Sequence, residues 1–160
     1  MNSVVRVFIE IERHSNKKYE VDNESNQLRL DRILPYPYFY PYAYGFIPTT
    51  VAPDGDALDI LLITEKDVTR GQTYLVYIIG VLQMEDEHGQ DDKILCVLEE
   101  DSNMIQSIED LSAQCLYDIQ WFFSNYKSGQ KEKWSIVHGY KGRNEAIHVY
   151  NNCMLPEYLY

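Results

Sequence analysis

The sequence lacks any apolar run of roughly 18 residues, the length that a membrane-spanning helix needs. It also has no internal repeat, no low-complexity segment and no Gly/Ser-rich linker. The first residues, Met1 to Arg6, show no basic region followed by an apolar one, as a secretory signal would. These absences predict one domain over residues 1–160, with a cytoplasmic location and no membrane partner.

Cysteine is also scarce. The three cysteines are far apart and odd in number, at Cys96, Cys115 and Cys153. This pattern favours neither a disulfide framework nor a zinc site. We therefore expect buried free thiols in a reducing compartment. A Gly-rich phosphate loop is missing as well, which counts against a nucleotide-hydrolysing enzyme.

Positively charged residues are also few. The chain has 14 Lys and Arg residues, 25 Asp and Glu residues and a net charge of −11. Nucleic-acid binding rests mainly on cations that meet phosphates, so we expect no nucleic-acid partner. The acidity has two remaining interpretations. It keeps the surface soluble, or part of it forms a carboxylate cluster that a hard cation neutralises.

What is present is a pattern of strands followed by helices. Val5, Val7 and Ile9 alternate with polar or aromatic neighbours, which predicts a half-buried strand. A hairpin is predicted over 18–30, and further strands over 58–64, 74–82, 93–98 and 133–138. Apolar steps of three and four from Ile108 to Tyr126 predict one long helix capped by Ser107, and a shorter helix is expected over 144–152. This order favours an antiparallel sheet or closed barrel with helices packed outside.

Three aspartates fall within six residues, at Asp54, Asp56 and Asp59. Gly55 permits a tight turn between the first two. Asp59 opens a strongly apolar strand, where an unpaired carboxylate costs stability. Magnesium is a natural partner because it prefers carboxylate oxygens. An ordinary acidic turn is the alternative interpretation.

A second acidic group lies over 85–92, in a predicted loop between two strands. Alone, it is typical of a solvated turn. Together with the first cluster, it would bring further oxygens to a site that holds several magnesium ions. His88 in this loop is interpreted as an exposed residue, because imidazole is a poor magnesium ligand beside carboxylates.

Several cations and tyrosines complete the pattern. Lys18 and Glu20 are two apart on one strand and share a face, and Glu10 lies on the polar face of the preceding strand. As a set, Lys18, Arg32, Lys93, Lys127 and Lys133 suit an anion held against metal ions, although each alone is typical of a surface cation. The proline- and tyrosine-rich run 35–46 predicts an extended segment that packs aromatic rings over the core and gives one or two hydroxyls to the site.

Taken in order along the chain, these residues resemble the family I soluble inorganic pyrophosphatases of bacterial type. The likeness is carried by the motif Asp54-Gly55-Asp56-Ala57-Leu58-Asp59 and by Phe8-Ile9-Glu10-Ile11, Lys18-Tyr19-Glu20-Val21-Asp22, Asp31-Arg32, Tyr44-Gly45, Glu85-Asp86-Glu87, Asp91-Asp92-Lys93 and Tyr126-Lys127. Ala57 stands where members often have proline. The resemblance implies an α+β or mainly β fold, a small five-stranded OB-like closed barrel with flanking α-helices.

The resemblance also implies the chemistry and the residues. Pyrophosphate would be hydrolysed to two phosphates by a metal-activated water, without a covalent intermediate and with several Mg²⁺ ions per active site. The implied metal ligands are Glu10, Asp54, Asp59, Asp86 and Asp91, and the implied phosphate-binding residues are Lys18, Arg32, Tyr44, Lys93, Tyr126 and Lys127. Asp56 is the implied general base, Tyr44 donates a hydrogen bond in the metal site, and Glu20 supports it. Tyr40 would lie nearby and Lys133 at the edge, and Asp92 is not expected to be a ligand.

Bacterial relatives commonly form hexamers, so we expect a homo-oligomer with a hexamer favoured. Trp121 and Asn125 depart from this pattern, since several relatives have histidines on that helix face. Two other interpretations remain open: a catalytically inactive pyrophosphatase-like binding protein, and a binding module on a barrel in which the carboxylates are surface decoration.

Overall fold

The computed structural model describes residues 4–159. The one-domain prediction over 1–160 and the prediction about the first residues also cover 1–3 and 160, which lie outside the described residues. The strands are β1 (Val4–Ile11), β2 (Lys17–Val21), β3 (Leu28–Ile33), β4 (Ala43–Ile47), β5 (Leu58–Leu62), β6 (Thr73–Asp86), β7 (Gly89–Gln90), β8 (Lys93–Leu98) and β9 (Ser135–Lys141). The α-helices are α1 (Ala113–Asn125) and α2 (Arg143–Cys153), with short 3-10 turns at Glu99–Asp101, Ile108–Asp110 and Pro156–Tyr158.

Five strands close into a barrel in the order β1-β4-β5-β8-β6, and β6 pairs again with β1. All these pairings are antiparallel except the parallel one between β5 and β8. The strand β6 is long enough to pair beyond the barrel with β7 and β9. The hairpin β2–β3 forms a separate two-stranded sheet. The expected five-stranded closed barrel with flanking helices is therefore confirmed.

Alternation along the strands divides the core between two faces of the barrel wall. One set of side chains, which includes Val7, Ile60 and Ile94, packs together with Ile147 of α2. The other set, which includes Leu61 and Leu95, packs with the aromatic residues of α1. Because β8 is covered on both faces, all of its residues are buried.

The predicted start of the long helix, directly after Ser107, was wrong. The helix α1 begins at Ala113, and its N-cap is Ser112, whose hydroxyl accepts a hydrogen bond from the Cys115 N–H at 3.1 Å. Ser107 and Asp110 do form the predicted capping pair, but they cap the 3-10 turn Ile108–Asp110. Leu111 is extended, with ψ of 148°, and separates the two elements. Over residues 4–159, neither helix has the length and hydropathy that crossing a bilayer requires.

The tyrosine-rich segment contains a barrel strand that its composition did not predict. Residues Ala43–Ile47 form β4, which pairs with β1 and β5. A side chain at Gly45 would overlap the carbonyl oxygen of Phe8, so the close approach of β1 requires glycine there. This approach places Tyr44 on the face that packs against α1.

Candidate active site

The site is built around the pairing of β5 with β8. Their parallel register sets Asp59 beside Lys93. The Lys93 Nζ atom lies 2.8 Å from Asp59 Oδ2 and 2.9 Å from Asp91 Oδ1. The Lys93 side chain is only 2% exposed. Burial acts to lower the Lys93 pKa, but Asp59, Tyr44 and Asp91 outweigh it and hold that pKa well above its ordinary value. Lys93 is therefore a buried, charged ammonium.

Aromatic rings form the wall behind this ammonium. Its Nζ atom lies 5.4 Å from the centre of the Tyr44 ring and 5.9 Å from that of Phe123, within the range of cation–π attraction. Burial raises the pKa of the Tyr40, Tyr44 and Tyr126 hydroxyls. These hydroxyls stay protonated at neutral pH and can donate hydrogen bonds to an anion.

The turn before β5 carries the other two aspartates of the motif. Gly55 adopts φ of 91°, and the Asp56 N–H donates to Asp54 Oδ1 at 3.0 Å. Both Asp54 and Asp56 are exposed. Partial burial raises the Asp54 pKa, and the negative charges of Asp59 and Asp56 raise it further. The Asp54 carboxylate therefore lies in the negative potential of Asp59 and Asp56.

Glu10 of β1 approaches the site from the side of the hairpin. It is 9% exposed, and its Oε2 accepts a hydrogen bond from the Val21 N–H at 3.0 Å. Burial raises the pKa of Glu10 to about 7 despite this bond, and the charges of Asp59 and Glu20 add to the rise. The pKa of Asp91 is also raised, first by burial and then by Asp59, against the effect of Lys93.

A second group of charges lies where β6 ends. Lys127 follows α1, and its Nζ atom lies 2.9 Å from Asp86 Oδ2 and 3.1 Å from both Glu87 carboxylate oxygens. Burial acts to raise the Asp86 pKa, but the bonds from Lys127 and from the His88 N–H lower it overall. Glu87 Oε1 also accepts from the Trp134 N–H at 3.1 Å. Sequence reasoning did not assign Glu87 a role, although it adjoins Asp86 in the second acidic group.

The hairpin β2–β3 supplies the third group. Lys18 and Arg32 are directly opposite each other, and an irregularity in the register follows between Lys18 and Tyr19. The Lys18 Nζ atom lies 3.0 Å from Asp31 Oδ2. Arg32 is half-buried and Glu20 is exposed. The structure thus sets two cations side by side on the hairpin near Glu10.

Other predicted residues lie outside this cluster or serve the fold. Lys133 is exposed, and His88 is exposed as expected. Asp92 is buried, and its Oδ1 accepts from the Met84 N–H at 3.1 Å while its Oδ2 accepts from Gln90 Nε2 at 2.9 Å. Both Asp92 oxygens therefore fix the turn between β6 and β8.

A cavity of about 380 Å³ is lined by Asp59 and Asp91 and lies between the 51–53 loop and α2. Its remaining polar lining consists of Gln83, Gln90, Asp92, Glu145, His148 and Asn152. Among residues 4–159, no lysine or arginine lines it, which makes this lining poorly suited to a phosphate. The cations named above lie elsewhere around the carboxylates.

The donor set suits hard cations. Within residues 4–159, no three acidic, histidine or cysteine side chains already form a cage for a metal ion. The positive partner that Asp59 and Asp91 share is Lys93. The charge of Asp59 raises the pKa of both Asp54 and Asp91, and carboxylates crowded in this way are the oxygen ligands that divalent hard cations neutralise. The residues therefore fit such a cation chemically.

The fold and the site together define a small barrel protein in which carboxylates that suit hard cations lie beside lysines and tyrosines that suit an anion. A family model described as inorganic pyrophosphatase matches residues 7–156. An inorganic pyrophosphatase of Thermus thermophilus is 41% identical over 155 residues, which cover 94% of this chain and 89% of the relative. One from Helicobacter pylori strain J99 is 40% identical over 147 residues, 89% of this chain and 85% of the relative.

Solved structures agree with the sequence relatives. The Helicobacter pylori inorganic pyrophosphatase structure matches with a TM-score of 0.90 at 37% identity and covers 94% of this chain and 91% of that chain. The Thermus thermophilus structure also has a TM-score of 0.90, at 41% identity, with coverage of 94% and 89%. The chain belongs to the inorganic pyrophosphatase family. This family is metal-dependent.

Proposed function

We propose that this protein is an inorganic diphosphatase, which hydrolyses pyrophosphate to two phosphates beside Lys93 with Mg²⁺ as its metal. The observation that carries the proposal is the buried Lys93 ammonium held between Asp59 and Asp91. Carboxylates that bind cations and a lysine that binds phosphate must adjoin each other if a compact polyanion is to be neutralised from two sides. The names of the relatives, which are inorganic pyrophosphatases, support the same reaction.

Five carboxylates are proposed to hold the metal ions: Glu10, Asp54, Asp59, Asp86 and Asp91. Bound there, Mg²⁺ ions would neutralise substrate charge and lower the pKa of a water molecule. Three strands, β1, β5 and β6, and two loops contribute these residues, which suits several ions better than one. Mg²⁺ is favoured because all the proposed ligands are carboxylate oxygens.

The phosphate groups are proposed to contact Lys18, Arg32, Tyr44, Lys93, Tyr126 and Lys127. An ammonium has three N–H donors, and Lys93 directs donors to Asp59 and Asp91, which leaves one for a phosphate oxygen. The raised pKa values of Tyr44 and Tyr126 keep their hydroxyls as donors. These cations and hydroxyls would take up the charge that builds on the departing phosphate.

The proton of the attacking water is proposed to go to Asp56. Its carboxylate is exposed at the turn that also presents Asp54, so it can reach a water held beside Asp54. The water oxygen bonds to one phosphorus atom as the bond from the bridging oxygen to that phosphorus breaks. The bridging oxygen leaves with the second phosphate, and Glu20 supports the site from the hairpin.

The assembly and its location are proposed on separate grounds. Tyr117 is 62% exposed and Trp121 is 37% exposed on α1, and Trp121 packs on Tyr38 with ring centres 5.7 Å apart. This aromatic face supports a homo-oligomer, with a hexamer favoured, which light scattering in solution would measure. A single domain over 1–160 in the cytoplasm remains the proposal for organisation and location.

Phosphate release from pyrophosphate tests the function. We expect fast release with Mg²⁺ and none with a chelator. Asp56→Asn should lower kcat by about 10²- to 10⁴-fold, the contribution of a general base, while Asp67→Asn on an exposed loop serves as the control. No release from folded wild-type protein with Mg²⁺ would instead support the inactive binding protein.

A further inference from the structure

The hairpin β2–β3 carries Lys18, Glu20 and Arg32, yet it is not part of the barrel sheet. Most of its residues are exposed or half-buried. One hydrogen bond to the barrel is the one from the Val21 N–H to Glu10 Oε2. A thin ribbon of two strands is marginally stable by itself, so the position of its cations depends on what holds its other face.

Arg70 contacts that other face. Tyr19 lies between Lys18 and Glu20 in β2, so its side chain points away from them. The guanidinium carbon of Arg70 lies 3.9 Å from the centre of the Tyr19 ring. This is a close stacked cation–π contact, the geometry for which arginine is well suited.

The turn that presents Arg70 is itself anchored to the barrel. The Arg70 N–H donates to Glu12 Oε2 at 2.9 Å, and the neighbouring Thr69 N–H donates to the Tyr74 hydroxyl at 2.7 Å. The Gly71 N–H donates to the Ile9 carbonyl at 2.8 Å, and the Ile9 N–H donates to the Gln72 carbonyl at 3.0 Å. Arg70 therefore extends from a fixed point.

The same turn also lies beside β3 of the hairpin. Gly71 has φ of 89°, and a Cβ built on it would lie 3.6 Å from the Leu28 side chain of β3. Leu28 pairs with Val21 in the hairpin. The turn thus faces both strands of the ribbon, on the side away from Lys18 and Glu20.

We propose that Arg70 is a positioning residue whose stacking on Tyr19 latches the hairpin to the barrel and so sets the affinity for the anionic substrate. The inference rests on the proposed function. Arg70 acts through the hairpin and does not touch the substrate, because Tyr19 separates its guanidinium from Lys18. Loosening the hairpin reduces the fraction of molecules with Lys18 and Arg32 in place, which weakens binding by that fraction.

Arg70→Ala and Tyr19→Leu each remove the stacked contact. In either variant we expect KM for pyrophosphate to rise about two- to fivefold, the range open to an exposed cation–π contact, with kcat nearly unchanged. Arg70→Lys should recover part of the effect, and Tyr19→Phe, which keeps the ring, should resemble the wild type. Once Tyr19→Leu is present, adding Arg70→Ala should change KM no further. Arg6→Ala, an exposed arginine of β1, is the matched control.

Hydrogen exchange in the substrate-free protein gives a readout that is independent of activity. Amides over 17–33 should exchange about two- to fivefold faster in Arg70→Ala and Tyr19→Leu, while amides of α1 should not change. Unchanged exchange over 17–33 would overturn the latch, and so would a general loss of stability with unchanged KM. A rise of KM in Arg70→Ala but not in Tyr19→Leu would also overturn it, since Arg70 would then act on the anion directly. If the wild type released no phosphate, the proposed function would be wrong. The hydrogen-exchange rates over 17–33 would still test whether Arg70 holds the hairpin.

Discussion

The Lys93 Nζ atom lies 2.8 Å from the Oδ2 atom of Asp59, at the point where β5 and β8 run parallel. This ammonium compensates a carboxylate at the start of a largely buried strand. Asp91 shares the same ammonium at 2.9 Å. One buried cation therefore neutralises two carboxylates. A change at Lys93 should affect both the stability of the fold and the proposed binding of phosphate.

Replacing Lys93 by methionine should destabilise the metal-free protein. The change keeps the volume but leaves Asp59 and Asp91 without their positive partner, and removing one member of a buried pair costs about 3–5 kcal/mol. Mg²⁺ should restore part of the loss, since it neutralises the same carboxylates, whereas phosphate release should stay low. Urea denaturation with and without Mg²⁺ measures this. Lys66→Met, which breaks an exposed pair with Asp101, should change little, and equal stability of the two variants would contradict the prediction.

The stability of the metal-free protein should fall as the pH rises from about 4.5 to about 7. The folded-state pKa of Glu10 is raised from 4.5 to about 7 by burial. The contribution of Glu10 to the free energy of unfolding is therefore complete below its unfolded-state pKa. It is lost as the pH rises through its folded-state pKa. Asp91 acts in the same direction. Asp86 acts in the opposite direction because its pKa is lowered. The pH range in which Asp86 changes the stability is more acidic than the range of Glu10.

Denaturation in chelator across this pH range checks the prediction. Glu10→Gln carries no charge at any of these pH values, so its stability should depend less on pH than that of the wild type. Saturating Mg²⁺ should also flatten the wild-type profile, because it favours the ionised carboxylates. If the free energy of unfolding of the wild type in chelator rose toward pH 7, burial of Glu10 would not control its pH dependence.

Much of the fold followed from local pattern. The alternation in β1 and the apolar run of β8 predicted both strands closely, since buried faces leave a clear periodicity. The start of α1 was wrong because Ser107 and Asp110 satisfy the rules of a helix cap while they cap only a 3-10 turn. The strand β4 was missed because it pairs with β1 and β5, and such partners are distant in sequence.

The site was predictable as a set of residues but not as a set of contacts. Spacing grouped Asp54, Asp56 and Asp59, and residue type and position added the acidic group over 85–92 and the set of cations. The role of each residue came from the resemblance. That Lys93 bridges Asp59 and Asp91 depends on a parallel register that no local pattern reveals. The tertiary partners of Glu87 lie more than 30 residues away in sequence, so its role was invisible before the structure.

Glu87 should position Lys127 for the substrate. Its carboxylate contacts Lys127 with both oxygens and also accepts from the Trp134 N–H. Glu87→Gln keeps the shape but removes the charge. Since hydrogen bonds to charged groups contribute about 1.5–3 kcal/mol, we expect kcat/KM to fall about tenfold or more. Glu85→Gln, whose partner is His138, is the control for steady-state kinetics, and matching values for the two variants would exclude the positioning role.

Asp92 should matter for folding rather than for metal binding. It is buried, and its two oxygens accept from the Met84 N–H and the Gln90 amide. Asp92→Ala leaves the Met84 N–H without that acceptor, so we expect a loss of about 1–3 kcal/mol in the free energy of unfolding. Asp92→Asn keeps an acceptor oxygen for Met84 and should cost less. Calorimetric titration with Mg²⁺ should give the wild-type stoichiometry for both folded variants, and the loss of one bound ion would make Asp92 a ligand after all.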